Sequence, residues 1–291
     1  MHKSNYIQSS PDNQTSGSLT VDVAAVVKPT VDRAASCFLY GPRFDSVPMK
    51  SATLPLKPKM YAQPPANPGM LPNGERRPSG DCILIAPQAV ESGVKQIQIY
   101  MSDCYPEFPQ RWVSWEDYLE KVDVEVDAVL ASPYHEEGLF VYIPWNEGGI
   151  SDGKWDTWDW NKAGYFFAGW KRIHERIRAK DPVNKIAGPN PYKYKSDFVY
   201  NFMKFCRDND CLPDIVSWHV LFEEDFRSFY WQLEDYRQIE RCLGITPRPV
   251  SINEYGVSQA YGVPGYLVQF ISMFERAGVD SAAIGFVHEC G

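Results

Sequence analysis

Residues 139–149 read LFVYIPWNEGG and residues 249–256 read PVSINEYG. Each is a short apolar run that stops at Asn-Glu. Runs of this length, bounded by turn residues, mark strands buried on both faces, as in a parallel sheet. Comparable runs recur along the chain: SCFLYG at 36–41, PKMYAQ at 58–63, KQIQIYMS at 95–102, NKIAGP at 184–189, DIVSWHVL at 214–221 and SAAIGFV at 281–287. Among the later runs lie stretches with helical spacing at 115–132, 163–180, 197–208, 226–243 and 264–277. The stretch at 163–180 ends in Lys and Arg, as the helix dipole prefers.

Eight strands alternating with helices predict a (β/α)8 barrel. An open doubly wound sheet is the structural alternative, but no G-x-G-x-x-G follows an early strand to support its nucleotide-binding form. Residues 41–57 are short and Pro-rich, so the first crossover helix is expected to be reduced. Residues 62–81 read as a long Pro/Gly loop. The chain stops four residues after the eighth run, which suggests a barrel truncated before its last helix and any accessory domain. Residues 1–18 read as a disordered lead. LTVDVAAVV at 19–27 alternates and reads as an extra N-terminal strand, opening a catalytic domain over 19–291.

The net charge of −8 leaves no basic surplus for phosphate neutralisation, which argues against a nucleic-acid partner. No stretch approaches a membrane span. A carbohydrate is a natural partner for a chain with 9 Trp and 17 Tyr, although large cores use aromatics too. The 7 cysteines contain no C-x-x-C pair, so reduced, buried thiols are expected. The polar N-terminus lacks an apolar signal core, which slightly favours the cytoplasm over secretion; the Asn13-Gln14-Thr15 sequon is a weak counter-indication. Oligomeric state is not legible.

In a barrel the active site lies at the C-terminal strand ends. Glu147 and Glu254 both lie there, closing strands four and seven. Two carboxylates across a pocket can cleave a glycosidic bond, one protonated and donating, the other ionised and attacking. The plain alternative is that either Glu caps a helix or meets an Arg. Other chemistries lack their motifs. His135-Glu136-Glu137 lacks H-E-x-x-H spacing, no G-x-S-x-G elbow exists, and Lys59 and Lys95 sit at strand starts rather than ends.

The W-N-E at 145–147 resembles the acid/base motif of clan A glycoside hydrolases, and the likeness spans roughly residues 35–290. Within the clan, LTVDV leading to a strand ending in Gly41, and SWEDY at 114–118 before YIPWNEG, resemble family 39, the β-xylosidase and iduronidase group. The resemblance implies a retaining glycosidase of β-linked sugars that needs no cofactor or metal. It implies Glu147 as acid/base, Glu254 as nucleophile and Asn146 as a partner of the sugar 2-hydroxyl. His219, ending strand six, could bond the nucleophile or a sugar hydroxyl, or be a satisfied structural histidine. Trp145 could line the pocket floor or pack the core. Tyr100 or Asp103 after strand three, and Asn190 after strand five, are further substrate-binding candidates; Asp103 fits an N-cap equally well, and Asn190-Pro191 is also a turn signal. Tyr255 should face away from Glu254. The aromatics of WDTWDW at 155–160 could wall the pocket. Asp45, Asn67 and Glu289 stand near strand ends without a motif. An inactive carbohydrate-binding barrel or inactive fragment, and a metal or Schiff-base lyase, are the rival readings.

Overall fold

The computed structural model describes residues 20, 22, 24–26, 30–42, 50–69, 80–106, 113–147, 165–260 and 262–284. The chain divides after Val31, and the unit from Asp32 onward holds the regular structure. Eight strands, β1 (Cys37–Leu39), β2 (Met60–Gln63), β3 (Gln96–Tyr100), β4 (Phe140–Ile143), β5 (Lys185–Pro189), β6 (Ile215–Val220), β7 (Val250–Tyr255) and β8 (Ser281–Ile284), close a barrel in chain order. Every neighbouring pair is parallel, including β1 with β8. The helices are α1 (Lys50–Thr53), α2 (Ala86–Glu91), α3 (Trp115–Leu130), α4 (Tyr165–Lys180), α5 (Ser196–Asp208), α6 (Glu223–Leu243) and α7 (Pro264–Ala277).

Local chemistry sets the helix ends. Ser114 caps α3 by accepting a hydrogen bond from Asp117 N at 3.1 Å. Glu223, Glu224 and Asp225 open α6, where negative charge suits the dipole. Gly244 and Gly278 close α6 and α7 with φ of 65° and 71°, a left-handed turn that glycine makes without strain. α1 is only four residues long, as the Pro-rich crossover predicts.

Alternate strand residues separate two apolar layers. Cys37, Leu39, Met60, Ala62, Val141, Ile143, Ala187, Ile215 and Ala283 fill the barrel, while Tyr61, Ile97, Phe140, Tyr142, Val216, Trp218 and Ile252 join the larger outer cluster with the helices. A polar belt crosses the interior: Gln98 Nε2 donates to Ser251 Oγ at 3.0 Å, and the Ser251 and Ser281 hydroxyls lie 2.9 Å apart. These small polar side chains satisfy one another, which burial requires.

One expectation is corrected. No described residue within 19–27 lies in a strand. Asp22 instead builds a turn, its carboxylate accepting from Ala24 N at 2.9 Å. A side chain that bonds the backbone two residues on competes with ladder formation.

Candidate active site

Glu147 and Glu254 leave β4 and β7 by different routes. β4 ends at Ile143, and the Tyr118 hydroxyl bonds Pro144 O just beyond it. Glu147 then takes a left-handed φ of 53°, and its N–H donates to Asn190 O at 3.0 Å. An Asn or Asp tolerates such a φ better than a Glu does, so this backbone is held by its surroundings. On β7 the pairing slips. Ser251 and Glu254 stand opposite Ser217 and His219 of β6, so three steps on β7 match two on β6. The same slip occurs against β8. The one-residue bulge lets Ser251 and Glu254 share the interior face. Tyr255 faces the helix layer, with its ring centroid 5.0 Å from those of Phe270 and Phe274.

His219 joins the two carboxylates. Its Nδ1 lies 3.1 Å from Glu147 Oε1 and its Nε2 lies 3.7 Å from Glu254 Oε1. The three groups each offer one ligand atom within 4.8 Å of the others, so they could also grip a divalent cation. Asn146 and Tyr100 lie beside Glu254, and the Tyr100 hydroxyl donates to Asn253 O at 3.3 Å. Asn190 braces Asn146: its Nδ2 donates to Asn146 Oδ1 at 3.0 Å, and its Oδ1 accepts from Ser217 Oγ at 2.9 Å. Asn190 is wholly buried, so it positions Asn146 from behind.

The electrostatics follow from enclosure. Burial pushes the Glu254 carboxyl up to about 7; the Glu147 charge adds to this, and His219, Tyr100 and Asn146 oppose it. For His219, burial disfavours the imidazolium, but the charge of Glu254 and the bond to Glu147 outweigh it, and the net direction is upward. Burial also holds the Tyr100 phenol far above its ordinary range, with the Glu254 charge adding, so Tyr100 stays a donor.

The structure thus brings Glu147, Glu254, Asn146, His219, Tyr100 and Asn190 together. Trp145 is corrected. Its ring stacks on Tyr118 at 4.8 Å, with Trp115 and Phe166 around it, and is 2% exposed. It anchors the end of β4 to α3 and α4 rather than lining a pocket. Asp103 is wholly buried and accepts from the Tyr40 hydroxyl at 2.7 Å. Tyr40 meets the Tyr100 ring edge-on at 5.8 Å. Sequence reading passed over Tyr40, and its one signal was its place at the end of the first strand, before Gly41. Asn67 is exposed, while Asp45, Glu289 and the aromatics of 155–160 lie outside the described residues.

No protein-family model matches the sequence. The chain is 26% identical over 259 residues to 3-O-β-L-arabinopyranosyl-α-L-arabinofuranosidase of Bifidobacterium pseudocatenulatum, across 72% of this chain and 26% of that protein. It is 23% identical over 305 residues to 3-O-α-D-galactosyl-α-L-arabinofuranosidase of Bifidobacterium longum subsp. longum, across 85% and 25%. The chain therefore spans about a quarter of the length of the curated relatives it matches. The structure of N2152 from Neocallimastix frontalis superposes with a TM-score of 0.73 at 30% identity, over 88% of this chain and 61% of that one. A family 39 β-xylosidase from Caulobacter crescentus gives 0.59 at 14% identity, over 87% and 62%, a likeness of fold alone. The chain is a (β/α)8 barrel whose relatives are glycoside hydrolases.

Proposed function

We propose that the protein is a retaining glycoside hydrolase, with Glu254 as nucleophile and Glu147 as acid/base. The observation that carries this reading is the Glu147–His219–Glu254 cluster at the ends of β4, β6 and β7. The nearest carboxylate oxygens lie within 4.8 Å. Retaining pairs stand about 5–5.5 Å apart, whereas inverting pairs leave roughly 6.5–9.5 Å for a water.

In the first step Glu254 attacks the anomeric carbon while Glu147 gives its proton to the departing oxygen. The glycosidic bond breaks and a glycosyl ester forms on Glu254. Water then attacks that carbon, Glu147 takes the water proton, and Glu254 leaves as a carboxylate. Tyr100 and Asn146, beside Glu254, favour its ionised form. His219, between the two carboxylates, supports an ionised Glu254 when it carries a proton.

The substrate reading is a 1,2-trans glycoside. Attack from the face opposite the leaving group is attack from the face that bears O2. Asn146, beside Glu254, can then meet the 2-hydroxyl as charge develops. Both β-D-xylosides and α-L-arabinofuranosides have this relation, so an expectation of β-linked sugars and the names of the curated relatives converge on one stereochemistry. An α-L-arabinofuranoside carrying a further sugar on O3 is the substrate those relatives favour. Membership of clan A and of family 39 belongs to the same proposal.

The test is hydrolysis of 4-nitrophenyl α-L-arabinofuranoside and β-D-xyloside, with the product anomer read by NMR. Glu254→Gln should abolish turnover, and Glu147→Gln should spare the best leaving groups most. An inverted product sinks the mechanism. Binding without turnover would leave a carbohydrate-binding barrel. A second reading, a divalent cation held by the same three side chains, is favoured by their mutual reach. It predicts activity lost to a chelator and restored by metal, whereas the two-carboxylate mechanism predicts no change.

A further inference from the structure

A groove of about 440 Å³ opens between the loops that follow β6 and β7. Phe222, Glu224, Val257, Ser258, Val263 and Tyr266 are among the residues that line it. Its lining begins just past the ends of both strands, at Leu221 and Val257. Phe222 stands three residues past His219, and Val257 three past Glu254. Gly256 N donates to Val220 O at 3.1 Å and ties the two strand exits together. Its volume falls within the range of small-ligand sites.

The lining combines apolar and aromatic surface with hydrogen-bond acceptors. Phe222 is 41% exposed and Val263 45% exposed, both at the groove. Two rings are held in place by neighbours: Phe222 edge-on to Tyr192 at 6.2 Å, and Tyr266 on Phe226 at 5.6 Å. Glu223 is engaged by Arg227 on its own helix. The Glu224 carboxylate makes no hydrogen bond or ion pair among the described residues. Rings that meet the C–H faces of a sugar, beside a carboxylate and a hydroxyl that accept from its O–H groups, are what a glycosyl residue needs. The Lys193 ammonium stands 5.9 Å from the Phe222 ring centroid, so the groove carries both signs of charge.

We propose that this groove is a second sugar subsite, taking a glycosyl residue joined to the sugar held between Glu147 and Glu254. The inference rests on the glycosidase reading. The groove lies beyond β6 and β7, on the side of Glu254. The departing group lies with the proton donor Glu147 on β4. The residue in the groove is therefore attached to the part of the substrate that stays on the nucleophile.

The test compares 4-nitrophenyl α-L-arabinofuranoside with the same compound carrying α-D-galactose or β-L-arabinopyranose on O3. Phe222 is exposed, so Phe222→Ala should fold, and an unchanged melting temperature checks this. Phe222→Ala and Glu224→Gln should each lower kcat/KM on an extended substrate by about tenfold, the size of one good contact, and leave the bare one within about twofold. Equal losses on both substrates, or no loss on either, overturn the subsite. If the native protein turns over none of these compounds and no β-D-xyloside, the glycosidase reading fails by itself. Calorimetric titration with the extended compounds then decides the groove: binding weakened about tenfold by Phe222→Ala supports it, and unchanged or absent binding overturns it.

Discussion

Replacing Glu254 with glutamine should make the protein more stable above neutral pH while removing its proposed nucleophile. Burial raises the Glu254 carboxyl from its ordinary 4.5 to about 7. The folded state therefore binds more protons than the unfolded state between those values, and stability falls as pH rises through them. At about 1.36 kcal/mol per pH unit, the full penalty of ionising Glu254 is roughly 3 kcal/mol above pH 7 and under about 1 kcal/mol at pH 5. Glutamine keeps the shape and cannot ionise. Part of the gain is offset, because His219 loses the charge that favours its imidazolium. That offset needs an ionised Glu254 beside a protonated His219, so it is confined to the pH range in which both carry charge. A net gain of about 1–3 kcal/mol at pH 8 corresponds to roughly 2–6 °C in Tm for a chain of this size. Thermal unfolding of both proteins at pH 5 and pH 8, followed by circular dichroism, measures it. The reasoning is refuted if Glu254→Gln gains nothing at pH 8, or gains equally at both pH values. Either result would mean that Glu254 carries no burial penalty when ionised.

Three further outcomes are expected. Because the attacking carboxylate must be ionised, kcat/KM should fall about tenfold per pH unit below about 7, and a flat profile from pH 5 to 8 would contradict the assignment of Glu254. Asn190→Ala removes the hydrogen bonds to Asn146 and Ser217 and places alanine at a φ of 63°, so it should cost about 2–3 kcal/mol in denaturant unfolding and lower kcat more than it raises KM. Gly188→Ala would set a Cβ 2.4 Å from the Trp170 ring, so it should destabilise by about 1–3 kcal/mol, and pairing it with Trp170→Phe should shrink that added cost.

The strands and long helices were legible because their hydrophobic spacing is strong and their ends carry turn residues. The six-residue α2 was not: APQAVE is too short to show a helical period and contains a proline. The alternation of 19–27 suggested a strand, but Asp22 turns the backbone locally, and alternation says nothing about whether a partner strand stands alongside. In the site, Glu147, Glu254 and His219 were legible as polar residues closing apolar runs. Trp145 shows the limit of that rule. It precedes Asn146 at the same strand end, yet its ring enters the Tyr118 stack because four aromatic side chains complete the core there. Which neighbours a strand-end side chain meets depends on helices far along the chain.

Glu254 raises the same question in a sharper form. Strict alternation from the inward Ser251 would turn Asn253 and Tyr255 inward and Glu254 outward, into the helix layer. The opposite holds for Glu254 and Tyr255, because β7 carries one residue more than β6 and β8 can match. The surplus has a local cost. Asn253 is wholly buried, and neither its amide nitrogen nor its amide oxygen finds a hydrogen-bond partner among the described residues. An unpaired buried amide costs about 1–3 kcal/mol. Nothing in the core requires this, since Ser251 already meets Gln98 and Ser281. What the irregularity achieves is the placement of Glu254 opposite His219, with Tyr100 and Asn146 in reach. The sequence can show that a carboxylate closes the strand. Its facing is decided by the shorter steps of β6 and β8, which leave β7 one residue over beside the carboxylate proposed to attack.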